Sequence, residues 1–289
     1  MSALDRPSDE SLGELALIPG PTALGGDPRR FVYLAVTLAV TDFRLRFFGS
    51  VLGYFWQLMR PLLLFGVLYF VFTQFVKVGG PVPFYPVVLL SNIVLYTFFA
   101  EATSGAIGSV VDRESLVRKI QFPRLAIPVS VVLTASFNLT LNTVVVIIFA
   151  IVNGVPFHWG LLLLPVLIGI LAVYALGFAM LLSALFVRFR DMRPIWEIVL
   201  QILFYATPVI YAIETINKAP AIKHIMMANP LAAIIQSIRH YIIDPGAPSA
   251  GAEIGGTARL LVPAAMVILV TTVGFWYFNR EAPRIAEEL

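Results

Sequence analysis

The chain has 289 residues, of which 59% are hydrophobic and only 13% are charged. Soluble globular domains have about 25% charged residues, so this composition indicates a membrane protein that exposes much of its apolar surface to lipid. The chain contains no cysteine, and its formal net charge is +3. A disulfide, a thiol nucleophile and a thiolate metal site are therefore excluded, and nucleic acid is not an expected partner.

The first 50 residues divide into two parts. Residues 1–28 mix acidic side chains with Pro and Gly, without the basic start and apolar core of a secretory signal, so we expect a flexible cytoplasmic tail. Residues 29–50 contain a short apolar stretch that ends in arginines and aromatic residues. This stretch is too short to cross a bilayer and predicts an amphipathic helix in the cytoplasmic interface.

Residues 51–280 contain six long apolar runs, each close to the roughly 20 residues that a membrane-spanning helix needs. They predict an all-α integral membrane protein with six transmembrane helices. Between spans five and six, Asn229-Pro230 is a helix-start signal, so residues 218–247 are expected to form short re-entrant or outer-face helices that act like a gate. The predicted spans are Leu58–Val76, Phe84–Val110, Leu125–Val152, Trp159–Val187, Ile195–Ile216 and Ala258–Phe278.

The basic residues are distributed unequally between the two sides of these spans. Fifteen lie on the side of the amino-terminal tail, the second–third and fourth–fifth connections and the carboxyl-terminal tail 281–289, and five lie on the other side. Because cytoplasmic loops carry the excess of Lys and Arg, both termini are predicted to be cytoplasmic. An even number of spans agrees with this orientation.

The sequence contains no motif for an energy source or a catalytic centre. There is no G-x-x-x-x-G-K-[ST] phosphate loop, no G-x-S-x-G elbow and no H-E-x-x-H helix. We therefore expect no catalytic residue, cofactor or metal on this chain, and any pumping would draw on an ion gradient or a partner subunit. An ion-coupled transporter would need several buried acids, and only Glu101 is close to the midplane. A membrane-embedded polyprenyl-phosphate transferase would need a carboxylate cluster, and no D-D or D-x-D pair occurs.

The connection between spans two and three, residues 112–124, has apolar residues on one face of a short helix and charges around them. It is too polar for the bilayer and too apolar to be alone in water, which favours a docking surface for a cytoplasmic partner. An ordinary basic loop lying on anionic lipid is the equally weighted alternative. The candidate partner-coupling residues are Leu116, Val117, Arg118, Lys119, Ile120, Phe122 and Arg124.

Five blocks of the sequence, taken together and in order, resemble the transmembrane subunits of ABC-2-type polysaccharide exporters. The resemblance extends from about Arg29 to Phe278. The blocks are Arg44-Leu45-Arg46 with Ser50-Val51-Leu52-Gly53-Tyr54-Phe55-Trp56 and Arg60-Pro61; Leu116 to Arg124; Val187-Arg188-Phe189-Arg190-Asp191; Tyr205-Ala206-Thr207-Pro208-Val209-Ile210-Tyr211; and Asn229-Pro230-Leu231.

The resemblance implies a homodimeric channel in the bacterial inner (plasma) membrane with two separate ABC nucleotide-binding subunits, which would hold the ATP and magnesium. It also implies that residues 112–124 form the coupling helix and that the substrate is a polysaccharide on a polyprenyl pyrophosphate carrier. Similar proteins export O-antigen, teichoic acid or mycobacterial galactan, and the excess of arginine over lysine favours galactan as a high-GC trait. An exporter of a drug or a small lipid is the alternative within the same fold.

Aromatic residues are the candidates for a glycan path. Phe65, Tyr69 and Phe72 fall on one face of span one, and aromatic faces can stack on sugar rings without binding them tightly. Packing against neighbouring helices or lipid is the commoner role of such a stripe. The candidate path residues are Trp56, Phe65, Tyr69, Phe72 and Tyr205.

Charged residues near the cytoplasmic ends of the spans are the candidates for headgroup binding. Arg44, Arg46 and Arg60 would gather a lipid pyrophosphate at the entrance, because guanidinium groups match phosphate oxygens, although anionic lipid is an equal alternative. Residue counts along spans one and two place Arg60 and Glu101 at nearly equal depth in the membrane, which predicts a buried ion pair between them. The alternative is that Arg60 extends to the lipid headgroups. Asn138 and Asn142 share a face of span three, where hydrogen bonding between helices is the default role.

Overall fold

A computed structural model describes residues 27–47, 51–76, 82–114, 122–156, 158–216 and 220–282, and all regular structure in these ranges is helical. The helices are α1 (Pro28–Phe47), α2 (Val51–Val71), α3 (Tyr85–Ile107), α4 (Ala126–Val152), α5 (Leu164–Arg188), α6 (Met192–Ala206), α7 (Pro220–Ala228), α8 (Pro230–Ile238), α9 (Ala250–Glu253) and α10 (Leu261–Glu281). Short π-helical turns continue α2 at Phe72–Val76 and α8 at Arg239–Ile243, and short 3₁₀ turns precede α5 at Trp159–Leu163 and α10 at Thr257–Leu260.

Five helical stretches within the described ranges are long and apolar enough to cross a membrane. They correspond to the predicted spans one to four and six, so the all-helical, membrane-spanning fold class is confirmed in this coarser form. The five stretches are Phe55–Phe75, Tyr85–Ile107, Ala126–Val152, Trp159–Arg188 and Thr257–Glu281.

The predicted fifth span, Ile195–Ile216, is not a continuous helix. α6 has 15 residues and ends at Ala206, because Thr207 is extended before Pro208. A residue before proline is disfavoured in the helical region, and proline cannot donate a backbone hydrogen bond. The apolar run continues through the break into a short 3₁₀ turn at Ile213–Ile216, which is why hydropathy alone predicted one span.

Side chains of α3 satisfy the backbone at this break. Asn92 donates its amide to the carbonyl oxygens of Pro208 at 3.2 Å and Val209 at 3.1 Å. The Tyr85 hydroxyl donates to the carbonyl of Ile210 at 2.7 Å. Irregular backbone at membrane depth is tolerated only where such partners replace water. The break in the helix is therefore stabilised by specific hydrogen bonds from α3.

α3 is the central helix of the bundle and packs against α2, α4, α5 and α6. Of its most apolar 18-residue window, 78% is buried, whereas the corresponding figure for α2 is 6%. The sequence of α3 explains this position, because α3 has the lowest mean hydropathy of the five stretches and carries Asn92, Glu101 and Thr103, whose polar side chains need protein partners in lipid. α2 is a peripheral helix by the same measure.

Two glycines allow α5 and α10 to approach closely. A Cβ added to Gly274 would lie 2.2 Å from the carbonyl oxygen of Gly177, and one added to Gly177 would lie 2.8 Å from the Cα of Thr271. Small residues at such crossings let helix backbones pack directly against each other in a membrane.

α1 packs along the beginning of α4 through its small residues. Ala35 and Ala39 are fully buried there, and the Thr134 hydroxyl donates to the carbonyl of Ala39 at 3.3 Å. An ion pair between Asp42 and Arg113 adds a second connection to the bundle. The end of the bundle near Arg113 is called the α1 end below, and the end near Tyr85 and α8 is called the α8 end.

The helix start predicted at Asn229-Pro230 is confirmed. The Asn229 side chain accepts a hydrogen bond from the backbone N–H of Leu231 at 3.1 Å, and Pro230 is in the first turn of α8. Residues 220–238 therefore form two short helices instead of a span, as the sequence predicted for this region.

Candidate functional site

A charged cavity of about 430 Å³ lies beside α3 in its α1-end half. α1 contributes Arg46, α2 contributes Gln57 and Arg60, and α3 contributes Glu101 to its wall. A second, more open space of about 600 Å³ shares Arg46, Gln57 and Arg60 and extends to Trp56. Charged and amide side chains are costly within apolar helices, so their convergence makes this cavity the candidate functional site.

Glu101 is the centre of the polar contacts in the charged cavity. Its Oε1 atom forms an ion pair with Nη1 of Arg46 at 2.5 Å and accepts from the Asn138 amide at 2.7 Å. Its Oε2 atom accepts from the Gln57 amide at 3.4 Å. The pair is partly open to solvent, with 44% of the Arg46 side chain and 22% of the Glu101 side chain exposed.

The predicted ion pair between Arg60 and Glu101 is wrong in its partner. Both residues line the same cavity, as their predicted depths required, but Glu101 pairs with Arg46. The reason is the position of α1, which packs against α4 and brings its last turn beside Glu101. Arg60 is exposed to the cavity and has no hydrogen-bond or ion-pair partner among the described residues.

Of the three arginines predicted to bind a headgroup, Arg46 and Arg60 line the cavity, and Arg44 does not. Arg44 is exposed on the last turn of α1, two residues before Arg46. Asn138 bonds across to Glu101 and so links α4 to α3, which is the interhelical role expected of it. The Asn142 amide instead donates to the carbonyl of Asn138 in its own helix.

The five predicted path aromatics do not form one continuous lining within this chain. The ring of Phe65 packs edge-on against Phe149 of α4 at 5.5 Å, and Phe72 packs against the core. Tyr69 stacks on Phe65 at 5.6 Å and is partly exposed. For Phe65 and Phe72, packing between helices is therefore the observed role. Trp56 and Tyr205 are 59% and 61% exposed, on α2 and α6 respectively.

The predicted partner-coupling segment lies largely outside the described residues, because Leu116, Val117, Arg118, Lys119 and Ile120 are not among them. Phe122 and Arg124 are described, and both are buried in the fold rather than presented to a partner. Arg124 donates to the carbonyl of Ala282 at the end of α10, and its burial lowers the pKa of the guanidinium. Both residues therefore anchor the start of α4, and their assignment as docking residues stays a prediction.

At the α8 end, the arginines and lysine that the structure describes all have a partner. Arg239 is 4% exposed and donates to Oε2 of Glu214 at 2.9 Å. Lys223 forms an ion pair with the buried Glu253. The first pair joins the π-helical turn after α8 to the 3₁₀ turn at Ile213–Ile216, and the second joins α7 to α9.

Sequence reasoning missed Gln57, Asn92 and the exact role of Arg46. Gln57 lies three residues before Arg60, so helical spacing places both side chains on the same face of α2 and could have identified it. Asn92 is a polar residue inside an apolar run, which is a signal for a structural or functional partner. The contact of Arg46 with Glu101 depends on how α1 packs against α4, and no local sequence pattern predicts that packing.

Comparison with known proteins identifies the family. The sequence profile of the family described as ABC-2 type transporter matches residues 33–243. An O-antigen export system permease protein, RfbA, from Myxococcus xanthus is 27% identical over 256 residues, which cover 89% of this chain and 95% of that protein. A protein of the same name from Klebsiella pneumoniae is 28% identical over 263 residues, with the same coverage of both chains. The resemblance found in the sequence is thus confirmed: this multi-pass membrane protein belongs to the ABC-2 type transporter family.

Proposed function

We propose that the chain is the membrane subunit of an ATP-driven exporter that moves a polyprenyl-pyrophosphate-linked polysaccharide out of the cytoplasm. The observation that carries the proposal is the charged cavity, in which Arg46 and Arg60 face a space large enough for a phosphate-bearing headgroup. The similar proteins are named as permeases of O-antigen export, which supports a transport subunit and a glycan substrate. A galactan or a teichoic acid would present the same kind of headgroup.

The energy source belongs to a partner in this proposal. Membership of the ABC-2 type transporter family implies association with an ABC nucleotide-binding partner. Two such subunits, with their ATP and magnesium, would dock on the cytoplasmic connection that contains residues 115–121. The burial of Phe122 and the contact of Arg124 with Ala282 support a firm attachment of this connection to α4 and α10, through which a push could be transmitted.

We further propose six crossings of the inner membrane with both termini in the cytoplasm. α6 and residues 207–216 would form the fifth crossing together, since their irregular backbone is satisfied by α3. The distribution of arginines supports the orientation, because the α1 end has Arg44, Arg188, Arg190 and Arg193 exposed.

A homodimer is proposed from the exposed face of α6. This face carries Glu197 and Gln201 among exposed apolar residues such as Ile198 and Ile202. An ionisable side chain on a membrane helix is costly in lipid and usually faces protein or water. A second copy of the chain against α6 would cover these groups, and Tyr205 and Trp56 would then be available to a path between the copies.

Reconstitution tests this function directly. The chain and its nucleotide-binding partner are placed in proteoliposomes with a short polyprenyl-pyrophosphate-linked glycan, and ATP-dependent arrival of the glycan at the opposite leaflet is measured. We expect Arg60→Gln to reduce the initial rate about tenfold, because one charge-assisted contact to phosphate contributes about 1.5 kcal/mol. Arg259→Gln, at an exposed arginine of the α8 end, is the matched control and should keep the wild-type rate.

Three outcomes would contradict the proposal. Movement of the glycan without any ATPase would remove the need for a partner. Export of small lipids or drugs with no glycan transport would assign the chain to the other class of exporter. An Arg60→Gln variant that transports like the wild type would exclude the cavity as the headgroup site.

A further inference from the structure

We infer that Glu101 is an internal counter-ion, which holds Arg46 while the charged cavity is empty and releases it to the phosphate of an incoming headgroup. The inference rests on the proposed function and adds a residue that controls how tightly the headgroup is held. It follows from the charge balance of the cavity, from the other contacts of Glu101 and from the attachment of α1.

The charge balance leaves the cavity one positive charge in excess. Its charged lining residues are Arg46, Arg60 and Glu101. Arg60 has no partner among the described residues, so a phosphate would meet one free guanidinium and one that is already paired. A headgroup with two phosphates can bind both guanidiniums only if Arg46 leaves the carboxylate.

Glu101 can lose Arg46 without becoming an isolated charge. Asn138 donates to it at 2.7 Å and Gln57 at 3.4 Å, and neither hydrogen bond involves the arginine. Asn138 is 1% exposed, so packing holds the amide that donates to Glu101. Hydrogen bonds to a carboxylate stabilise its charged form, so the separated state is accessible.

Arg46 can also move without releasing α1 from the bundle. Ala35 and Ala39 are packed against α4, and the ion pair between Asp42 and Arg113 holds the same helix. The Arg46 side chain itself is 44% exposed, so its guanidinium can change partners by side-chain rotation. Re-formation of the pair with Glu101 would then help to expel the headgroup after transport.

The prediction is that loss of the Glu101 charge tightens binding of the headgroup. Full-length protein in phosphatidylcholine nanodiscs is titrated with farnesyl pyrophosphate and with inorganic pyrophosphate. We expect Glu101→Gln to bind farnesyl pyrophosphate about fivefold more tightly than wild type, which is the upper end for a partly exposed ion pair. Farnesyl pyrophosphate should bind more tightly than inorganic pyrophosphate, since the headgroup is borne by a lipid; equal affinities would overturn that part.

Asp42→Asn is the matched control. It also removes a carboxylate that ties α1 to the bundle, but Asp42 does not line the cavity, so affinity should stay at the wild-type value. Equal tightening by Asp42→Asn would show that loosening of α1 is the cause and would overturn the counter-ion role. Glu101→Asp, which keeps the charge but withdraws it by one methylene, should give an intermediate affinity and serves if the Gln variant does not fold.

The outcomes separate this inference from the proposed function. If wild type binds farnesyl pyrophosphate, Arg60→Gln weakens the binding and Glu101→Gln leaves it unchanged or weaker, only the counter-ion role fails. If neither wild type nor Glu101→Gln binds either probe, the headgroup site itself fails.

Discussion

The two ends of the bundle differ in how completely their charged side chains are paired. At the α8 end, each described lysine and arginine has a partner: Lys223 pairs with Glu253, Arg239 with Glu214, and Arg259 contacts His224 and the carbonyl of Ile254. At the α1 end, Arg60 faces an open cavity and has no partner in the part of the chain that the structure describes, and the neighbouring pair of Arg46 and Glu101 is partly exposed.

The difference indicates at which end the charged groups are satisfied by partners within the chain. Buried pairs cost desolvation when formed and cost more when one member is lost, so they fix a structure. Exposed pairs contribute little to stability and can exchange partners. The α8 end is therefore expected to resist change, and the α1 end is expected to receive a ligand.

The largest effect is expected from the broken backbone at the α8 end. Asn92→Leu removes the donor to the carbonyls of Pro208 and Val209, and two buried acceptors then lack a partner. We expect a loss of about 2–3 kcal/mol in the free energy of unfolding, measured by denaturation of the purified chain in detergent. Asn153→Ala is the control, since its hydrogen bond to Phe149 is exposed. Similar small losses for both variants would mean that the break is not held by α3.

A smaller loss is expected from the ion pair of Arg239. Glu214→Ala leaves a guanidinium that is 4% exposed without its counter-ion, while 30% exposure of the Glu214 side chain allows water to replace part of the contact. The expected cost is about 2 kcal/mol in the same denaturation measurement, below the range for a fully buried pair. Glu214→Gln keeps an acceptor and should lose less. A cost no greater than that of Asp42→Asn would remove the contrast between the two ends.

The smallest effect is expected at the α1 end. Asp42→Asn weakens the ion pair with Arg113, whose side chains are 28% and 21% exposed, and should cost less than about 1 kcal/mol. α1 should remain docked, because Ala35 and Ala39 still pack against α4. Limited proteolysis between α1 and α2 reports docking independently of stability. Rapid cleavage there in the variant would mean that charge, and not packing, holds α1.

The sequence allowed the membrane spans and the start of α8 to be predicted, because both depend on local patterns. An apolar run of sufficient length requires a helix in lipid, and Asn229-Pro230 caps whatever helix follows it. The end of α6 was missed because Pro208 interrupts a run that remains apolar on both sides. The interrupted backbone is stable in lipid because donors on α3 bind its carbonyl oxygens, and the sequence of α6 does not show those contacts.

The candidate site was predicted in its members but not in its contacts. Counting residues along the spans put Arg60 and Glu101 close together, and both line the cavity. The ion partner of Glu101 depends on how α1, a helix outside the spans, packs against the bundle. That packing cannot be predicted from the sequence of each span taken separately. The burial of Phe122 and Arg124 was not predicted for a similar reason, since it is decided by the neighbouring ends of α5 and α10.

The close crossing of Gly177 and Gly274 has a consequence for how the protein can move during a transport cycle. With almost no side chain between them, α5 and α10 have no soft layer in which to slide or tilt, so they act as a fixed frame. Among the five long apolar helices of the described ranges, α2 has the smallest buried share, 6%, so we expect opening of a passage to move α2 rather than α5 or α10. The helix that carries Gln57 and Arg60 is thus the wall we expect to move.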